Sequence, residues 1–366
     1  MEITFGFFHY QILQAFFMNK SDYLKNLEKL KNLADSIPNT QFLAKMKINT
    51  LVIMNMRYEK IMLNRNLQNH PHELVSQLID DACDFLTQCF EVAWIEGNQI
   101  EFAKNEQNME ENHQDLFQKL WVDYSDEEYK AERVGRYKKR IEINQLAPLI
   151  AGKKCIDCGC GHGNFALALS DYGAEYVLGI DYGSDAIQFA NKMRDLLGYS
   201  GEKIEFKVES VYQLPSSDDA YDFAIQNGVF HHLEDEDAAY KEVYRILKPG
   251  AYFWIYTDSE GAIGPTLYDV SRYILRDVPN AFVIRCLSEL NISTNKRYHL
   301  GDGFNAVYRH TNYEDFIKRL GSYGFGNFRR LVGGFPTDFD HDVIQQDKYG
   351  KEKFGSGDLR ILAQKI

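Results

Sequence analysis

The stretch KKCIDCGCGHGN, residues 153–164, concentrates side chains that could do chemistry. It contains, in order, Cys155, Asp157, Cys158, Gly159, Cys160, Gly161, His162 and Gly163. Thiolates and imidazoles are zinc ligands, whereas closely spaced glycines let a backbone turn approach a bound cofactor. The two chemistries place different demands on the surrounding residues, and these demands decide between them.

The cysteine spacing argues against a metal site. Structural zinc usually takes paired Cys-x-x-Cys units, and only Cys155 with Cys158 has that spacing here. The run KCIDCG predicts a buried strand, whose side chains alternate between faces, so these two thiols should point to opposite sides. We therefore expect packing cysteines and no bound metal.

The glycines fit a turn at the end of that strand. A dinucleotide turn, GxGxxG, would need glycine at position 164, where Asn164 stands. The observed spacing predicts a looser turn, with room for an uncharged part of a ligand. Asp181 ends the next predicted strand, YVLGID, where a carboxylate can accept hydrogen bonds from both ribose hydroxyls. The two features together indicate a nucleoside-containing ligand.

A parallel sheet is needed to bring these residues together. After residue 150, short β-rich runs alternate with helical segments, which is typical of an α/β sheet covered by helices on both faces. The predicted strands are KCIDCG, YVLGID, KIEFKV, DFAIQNG, YFWIYT, NFRRLVGG and DLRILAQKI. The last two follow a helix near residues 312–321 and should form an antiparallel pair at one edge.

The helical periodicity before the sheet suggests three divisions of the chain. Residues 1–115 predict an N-terminal helical domain, residues 116–150 a linker with helices, and residues 151–366 the core. A stretch at about 259–311 is far longer than a plain connection and is predicted to be an insertion. The N-terminal helices could also serve dimerisation.

Composition limits the partners. The 366 residues carry a formal net charge of −12, so no positive field attracts nucleic acid or anionic membrane. The six cysteines, without a secretory signal, favour reduced thiols in the cytoplasm. Polar residues interrupt the apolar first twenty residues, so we expect an amphipathic helix that packs on protein, with a peripheral membrane helix as the lesser alternative.

From Cys155 to Lys248 the chain resembles the class I S-adenosylmethionine-dependent methyltransferases of the small-molecule type, with a methyltransferase type 11/25-like core. The motifs that carry the resemblance occur in order: IDCGCGHGN, GID, VESVYQLP, YDFAIQNGVFHHLED and EVYRILKPGA. The resemblance implies a Rossmann-like sheet of seven strands and S-adenosylmethionine as cofactor. It further implies that the helices of residues 116–150 cover the cofactor and that the insertion at about 259–311 forms a substrate lid. It also implies biosynthetic methyl transfer to an O, N or C nucleophile of a small-molecule or peptidic acceptor.

The same resemblance implies the cofactor-binding residues. They are Tyr124, Arg133, Asp157, Gly159, Gly161, Gly163, Asp181, Tyr182, Glu209, Ser210, Val211 and Asn227. The glycines would lie along the methionine part, Asp181 would hold the ribose and Tyr182 would lie against the adenine. Arg133 could pair with the methionine carboxylate. Ser210 stands where the family usually has aspartate, which leaves open which side chain meets the adenine amino group.

On the acceptor side, His232 is a candidate general base, since an imidazole can take a proton near neutral pH. The alternative is that positioning of the nucleophile alone suffices. Candidate acceptor-binding residues are Tyr268, Arg272, Tyr308 and His310.

Two other functions remain as alternatives. One is a non-catalytic methyltransferase-like interaction module, against which the intact glycines and Asp181 argue. The other is a nicotinamide-dependent oxidoreductase, against which the glycine spacing argues. The place after the fourth strand reads QNGVFHH and lacks the (N/D)-P-P-(Y/F) motif of base-methylating enzymes, so no nucleic acid acceptor is expected.

Overall fold

The computed structural model describes residues 22–96, 129–306 and 308–366. These residues form two compact units. The helical unit comprises residues 22–96, 261–305 and 344–355, and the sheet unit comprises residues 129–260, 306, 308–343 and 356–366. The predicted domain boundary near residue 115 lies outside the described residues. Most of the predicted insertion, residues 261–305, belongs to the helical unit, because its apolar residues pack with those of the N-terminal helices.

The helices are, in chain order, α1 (22–36), α2 (Gln41–Leu63), α3 (Pro71–Glu96), α4 (Gly135–Ile143), α5 (Ala147–Ile150), α6 (Asn164–Asp171), α7 (Ser184–Leu196), α8 (Glu236–Ile246), α9 (Ile263–Leu275), α10 (Asn280–Glu289), α11 (Thr294–Asn305), α12 (Tyr313–Ser322), α13 (His341–Gln346) and α14 (Gly350–Phe354). A π-helix, Tyr129–Val134, leads into α4, and a 3₁₀ turn, Phe230–His232, follows the fourth strand.

The helical unit is organised around α2, whose buried residues pack into the core of the unit. The opposite side of α2 is exposed, with Ile53 at 51%, so the helix packs through one broad face. The Thr40 side chain accepts a hydrogen bond from Leu43 N and caps the start of α2, and Pro71 stands at the first position of α3, where a proline is tolerated. In the described residues, no helix has the length and apolarity needed to cross a membrane.

The sheet has seven strands in the order β3-β2-β1-β4-β5-β7-β6. They are β1 (Lys154–Cys158), β2 (Tyr176–Asp181), β3 (Ile204–Val208), β4 (Tyr221–Asn227), β5 (Leu247–Thr257), β6 (Phe325–Arg330) and β7 (Leu359–Lys365). The first five strands run parallel, and β7 pairs antiparallel with both β5 and β6. The predicted fold class and its antiparallel edge pair are confirmed.

Two hydrophobic clusters cover the two faces of this sheet. One joins β1 to α6 and α7, and the other joins β1 to α8 and α12. Cys155 belongs to the first cluster and Cys158 to the second, and both thiols are fully buried. The predicted alternation of these side chains is therefore confirmed. The strand order reverses between β1 and β4, so a crevice opens at the carboxyl ends of these two strands.

Candidate active site

The turn between β1 and α6 is held by backbone hydrogen bonds from both sides. The N–H groups of Gly159 and Cys160 both donate to Ile180 O at 2.8 Å, and Gly163 N donates to Cys160 O at 2.9 Å. Gly161 N donates to the Asp181 carboxylate at 2.8 Å. The turn after β1 is therefore fixed by the end of β2.

The three glycines of the turn differ in the space that a side chain would find at each position. All three have positive φ. A Cβ on Gly159 would lie 2.6 Å from the Val229 side chain, and one on Gly163 would lie 2.6 Å from Phe206 Cζ. A Cβ on Gly161 would meet nothing within 4 Å. Gly161 therefore leaves open space for a ligand, whereas Gly163 permits the close packing of α6 on β3.

Asp181 ends β2 with its carboxylate held in place. One oxygen accepts from Gly161 N, and the other accepts from Gly183 N at 2.9 Å. Burial raises the pKa of Asp181, and these backbone donors act against the rise. The Tyr182 N–H is a third backbone donor to this carboxylate. A carboxylate can accept about four hydrogen bonds, so capacity for a ligand hydroxyl is left. The predicted role of Asp181 in holding a ribose fits this arrangement.

Asp157 lies beneath the turn and does not line the cavity. Its Oδ2 atom is buried and has no hydrogen-bond partner among the described residues. Burial, and then the nearby charge of Asp181, raise the pKa of Asp157 to about 7. The carboxyl group therefore carries a proton for part of the time near neutral pH.

The loop after β3 is tied to α8. Leu214 N donates to Glu242 at 2.8 Å, and Arg245 donates both to Glu242 and to the Leu214 carbonyl. At the other side of the loop, the Tyr212 hydroxyl accepts from Asp235 N at 3.3 Å. These contacts fix the predicted adenine-binding residues of this loop at the crevice.

At the end of β4, two side chains shape the next wall. The fully buried Gln226 accepts from Val229 N and donates to Tyr256 O, which holds the bend after the strand. Asn227 accepts from Trp254 Nε1 and donates to the Tyr137 hydroxyl, each at 3.3 Å. Through Tyr137, this chain of hydrogen bonds connects β4 and β5 to α4.

These loops and α4 enclose a cavity of about 370 Å³. Its lining includes nine predicted residues: Arg133, Gly159, Gly161, Asp181, Tyr182, Glu209, Ser210, Val211 and Asn227. His232, the candidate base, lines it too. The other lining residues are Tyr137, Cys160, His162, Asn164, Gly183, Ala186, Tyr212, Gly228, Val229 and Leu233. Tyr124 lies outside the described residues.

Not every predicted site residue reaches this cavity. Gly163 and Asp157 lie behind its wall, for the packing and burial reasons given above. Tyr308 and His310 are in the sheet unit, where Tyr308 contacts the rings of His231 and His232. Their contact with an acceptor stays a prediction.

The other two predicted acceptor residues lie in the helical unit. Tyr268 packs against its hydrophobic core, beside Phe304, and burial raises its pKa. Arg272 donates to the Gly303 carbonyl at 2.7 Å and pairs with Asp269. Both side chains therefore stabilise the helical unit, and a role in acceptor binding stays a prediction.

Comparison with known proteins places this cavity in a family. A methyltransferase domain family model matches residues 150–299. The chain is 31% identical over 154 residues to a fatty-acid O-methyltransferase of Mycolicibacterium smegmatis, over 41% of this chain and 52% of that protein. These matches support a class I S-adenosylmethionine-dependent methyltransferase core over residues 150–299. The matched part contains the glycine turn, Asp181 and the loop after β4, which form most of the cavity lining, whereas Arg133 and Tyr137 precede it.

Other relatives of the methyltransferase core match over similar lengths. The chain is 27% identical over 187 residues to squalene methyltransferase 1 of Botryococcus braunii, over 50% of this chain and 42% of that protein. The chain thus spans about half the length of the curated relatives it matches. A solved S-adenosylmethionine-dependent methyltransferase of Thermotoga maritima shares 18% identity with a TM-score of 0.43, over 69% of this chain and 99% of that one.

The residues of the cavity fit the cofactor of this family. Gly161 provides space that any side chain would fill, and Asp181 provides oriented carboxylate oxygens. Tyr182 is 62% exposed beside them and offers a ring face for a base. Arg133 provides a cation at the cavity for a carboxylate. The methyltransferase core therefore presents suitable partners for the ribose, the base and the amino-acid portion of S-adenosylmethionine.

Proposed function

We propose that this protein binds S-adenosylmethionine in the cavity and transfers a methyl group to an O, N or C nucleophile of a small-molecule acceptor. The observation that carries the proposal is the Asp181 carboxylate, which is fixed by Gly161 N and Gly183 N at the edge of open space. When bound, this cofactor supplies an electrophilic methyl group on a sulfonium sulfur.

The chain's own residues would divide the binding work. Asp181 would accept the ribose hydroxyls, and Tyr182 would stack on the adenine. Arg133 would pair with the carboxylate. Asn227, which is oriented by Tyr137 and Trp254, would present its backbone at the end of β4. These positions surround one cavity, which supports a single shared ligand.

On the acceptor side, we propose His232 as the group that takes the proton of a hydroxyl or amine nucleophile. It lines the cavity, and the nearby His231 cannot serve because burial and His310 lower the pKa of His231 to about 3. A neutral imidazole at His232 would accept the proton at neutral pH. An acceptor that is already ionised, such as a carboxylate, would not need this step.

The acceptor class is also part of the proposal. The relatives named above include a fatty-acid O-methyltransferase and a squalene methyltransferase, which supports testing apolar acceptors first. We further propose that the helical unit contributes acceptor selection, and that Tyr268 and Arg272 are its first candidates for mutation. A peptidic acceptor and a homodimer through the N-terminal helices are the alternatives to test.

Calorimetry with purified full-length protein tests cofactor binding directly. We expect saturable binding of S-adenosylmethionine, at least a tenfold loss of affinity in Asp181→Ala and near wild-type affinity in Asp185→Ala. Asp185 is a matched control because it carries the same charge at the exposed start of α7, only four residues away. Absence of binding in the wild type, or equal binding by both variants, would refute the proposal.

Turnover is tested separately, by following S-adenosylhomocysteine formation with palmitate, squalene and a phenol as acceptors. Cofactor binding without turnover on any acceptor, together with capture of a protein partner, would favour the non-catalytic interaction module. Binding of a nicotinamide dinucleotide in place of S-adenosylmethionine would favour the oxidoreductase.

A further inference from the structure

Three aromatic side chains meet at the end of the cavity wall that contains His232. The ring centroids of His231 and His232 are 4.1 Å apart, and the Tyr308 ring lies 4.5 Å from His232 in an edge-on arrangement. Tyr308 also stacks on His231, at 5.3 Å and an interplanar angle of 19°. Each of the three rings therefore contacts the other two.

His231 is the fixed member of this group. It is 2% exposed, and its Nδ1 atom lies 3.2 Å from the hydroxyl of Thr257, which is itself buried at the end of β5. Because its pKa is lowered to about 3, the ring stays neutral at any ordinary pH and keeps this contact. A neutral, immobile imidazole is a suitable surface against which other rings can be positioned.

Tyr308 is brought to the histidines by a segment that is tied down on both sides. Arg309 N donates to His231 O at 2.9 Å, and the Arg309 guanidinium donates to Glu234 O at 2.8 Å. Three residues along from Tyr308, Thr311 O accepts from Glu260 N at 3.0 Å. The segment 308–311 is thus anchored to the loop after β4 and to the loop after β5.

We infer that Tyr308 is a positioning residue that holds the His232 imidazole in one orientation at the cavity, through ring contacts shared with His231. The inference deepens the proposed function, because it rests on His232 as the group that takes the acceptor's proton. The phenol ring carries the effect, so phenylalanine should replace tyrosine at this position and an aliphatic residue should not.

Ionisable groups near His232 come from its own turn and from the anchored segment. His231 lies on its own turn, and Tyr308, Arg309 and His310 come from the anchored segment. His310 stacks parallel to Tyr308, with 6.1 Å between centroids. The guanidinium of Arg309 is directed to the Glu234 carbonyl. Changing Tyr308 therefore alters the packing of His232 without removing a charge at neutral pH.

The test uses full-length protein with isotope-labelled histidine, and His232→Asn to assign the His232 resonances. Nuclear magnetic resonance reports the side-chain rotamer of His232 through three-bond couplings. We expect one dominant rotamer in the wild type and in Tyr308→Phe. In Tyr308→Leu we expect averaged couplings, because the ring contact that restricts the His232 side chain is lost.

Tyr313→Leu is the matched control. Tyr313 is a partly buried tyrosine of the same region, but its ring lies under Arg330 and not against the histidines. It should leave His232 unchanged. A single His232 rotamer in Tyr308→Leu would overturn the inference, and so would equal effects of Tyr308→Leu and Tyr313→Leu.

Cofactor binding separates this inference from the proposed function. Calorimetry with S-adenosylmethionine should give affinities within about twofold of wild type for Tyr308→Leu, because Tyr308 does not line the cavity. Failure of the wild type to bind would refute the proposed function and leave the rotamer result standing as a property of the fold. With an acceptor that is turned over, kcat should fall in Tyr308→Leu while KM for the cofactor stays constant.

Discussion

Replacing Gly163 by alanine tests whether this glycine serves packing and not the ligand. The residue has φ +81°, and its added Cβ would lie 2.6 Å from Phe206 Cζ and 3.1 Å from Ala190 Cβ. The left-handed backbone costs a non-glycine residue about 1–2 kcal/mol. Overpacking of a filled core costs about 1–3 kcal/mol more. We therefore expect Gly163→Ala to lower the free energy of unfolding by about 2–5 kcal/mol.

Gly161→Ala is the matched comparison on the same turn. Its φ is +50°, and an added Cβ meets nothing within 4 Å, so only the backbone penalty of about 1–2 kcal/mol applies. The methyl group would instead occupy space beside the cavity that Gly161 lines. Gly161→Ala should therefore weaken S-adenosylmethionine binding more than it weakens folding.

Urea unfolding followed by far-ultraviolet circular dichroism and by the fluorescence of the fully buried Trp254 compares the two variants. Phe206→Leu should partly restore the stability of Gly163→Ala, since it removes the atoms that the new methyl group would strike. If Gly163→Ala is no less stable than Gly161→Ala, or if Phe206→Leu gives no recovery, the packing explanation is wrong.

For three further substitutions, the structure determines the direction of the effect on stability or on cofactor binding. Burial raises the pKa of Asp157 to about 7, so the folded protein holds this proton more tightly than the unfolded chain does. The resulting stabilisation, at most about 4 kcal/mol, is complete below about pH 4 and is lost as the pH rises through 7. Asp157→Asn should therefore reduce the fall in the urea midpoint between pH 5 and 8. Arg360 pairs with three aspartates at 2.9–3.2 Å, so Arg360→Met should destabilise the sheet unit by about 3–5 kcal/mol, with a larger shift of the urea midpoint at pH 8 than at pH 5. Tyr182→Ala should change stability by less than about 0.5 kcal/mol and weaken cofactor binding about tenfold in calorimetry, because the ring is 62% exposed and its expected role is to stack on a base.

The sequence was sufficient to predict the elements whose signals are local. The strand runs, the helices between them and the glycine turn all depend on patterns within a few residues. The same local pattern does not explain why the third glycine is a glycine. Gly163 has the spacing of a ligand contact, but its constraint comes from Phe206, which is brought against it by the pairing of β2 with β3. No local signal marks such a contact.

The cavity wall formed by α4 also depends on contacts that local sequence patterns do not predict. Tyr137 carries no motif, yet it stacks on Phe165 at 4.5 Å and accepts a hydrogen bond from Asn227. Three segments that are distant in sequence must therefore fold together before this wall exists. The motifs of the methyltransferase core specify the ends of the strands, whereas the side of the cavity opposite them depends on packing of a preceding helix. We accordingly expect relatives that differ in acceptor or affinity to differ in the residues of that helix and of segments such as 308–311. The residues at the strand ends should differ less, because the geometry of the sheet constrains them.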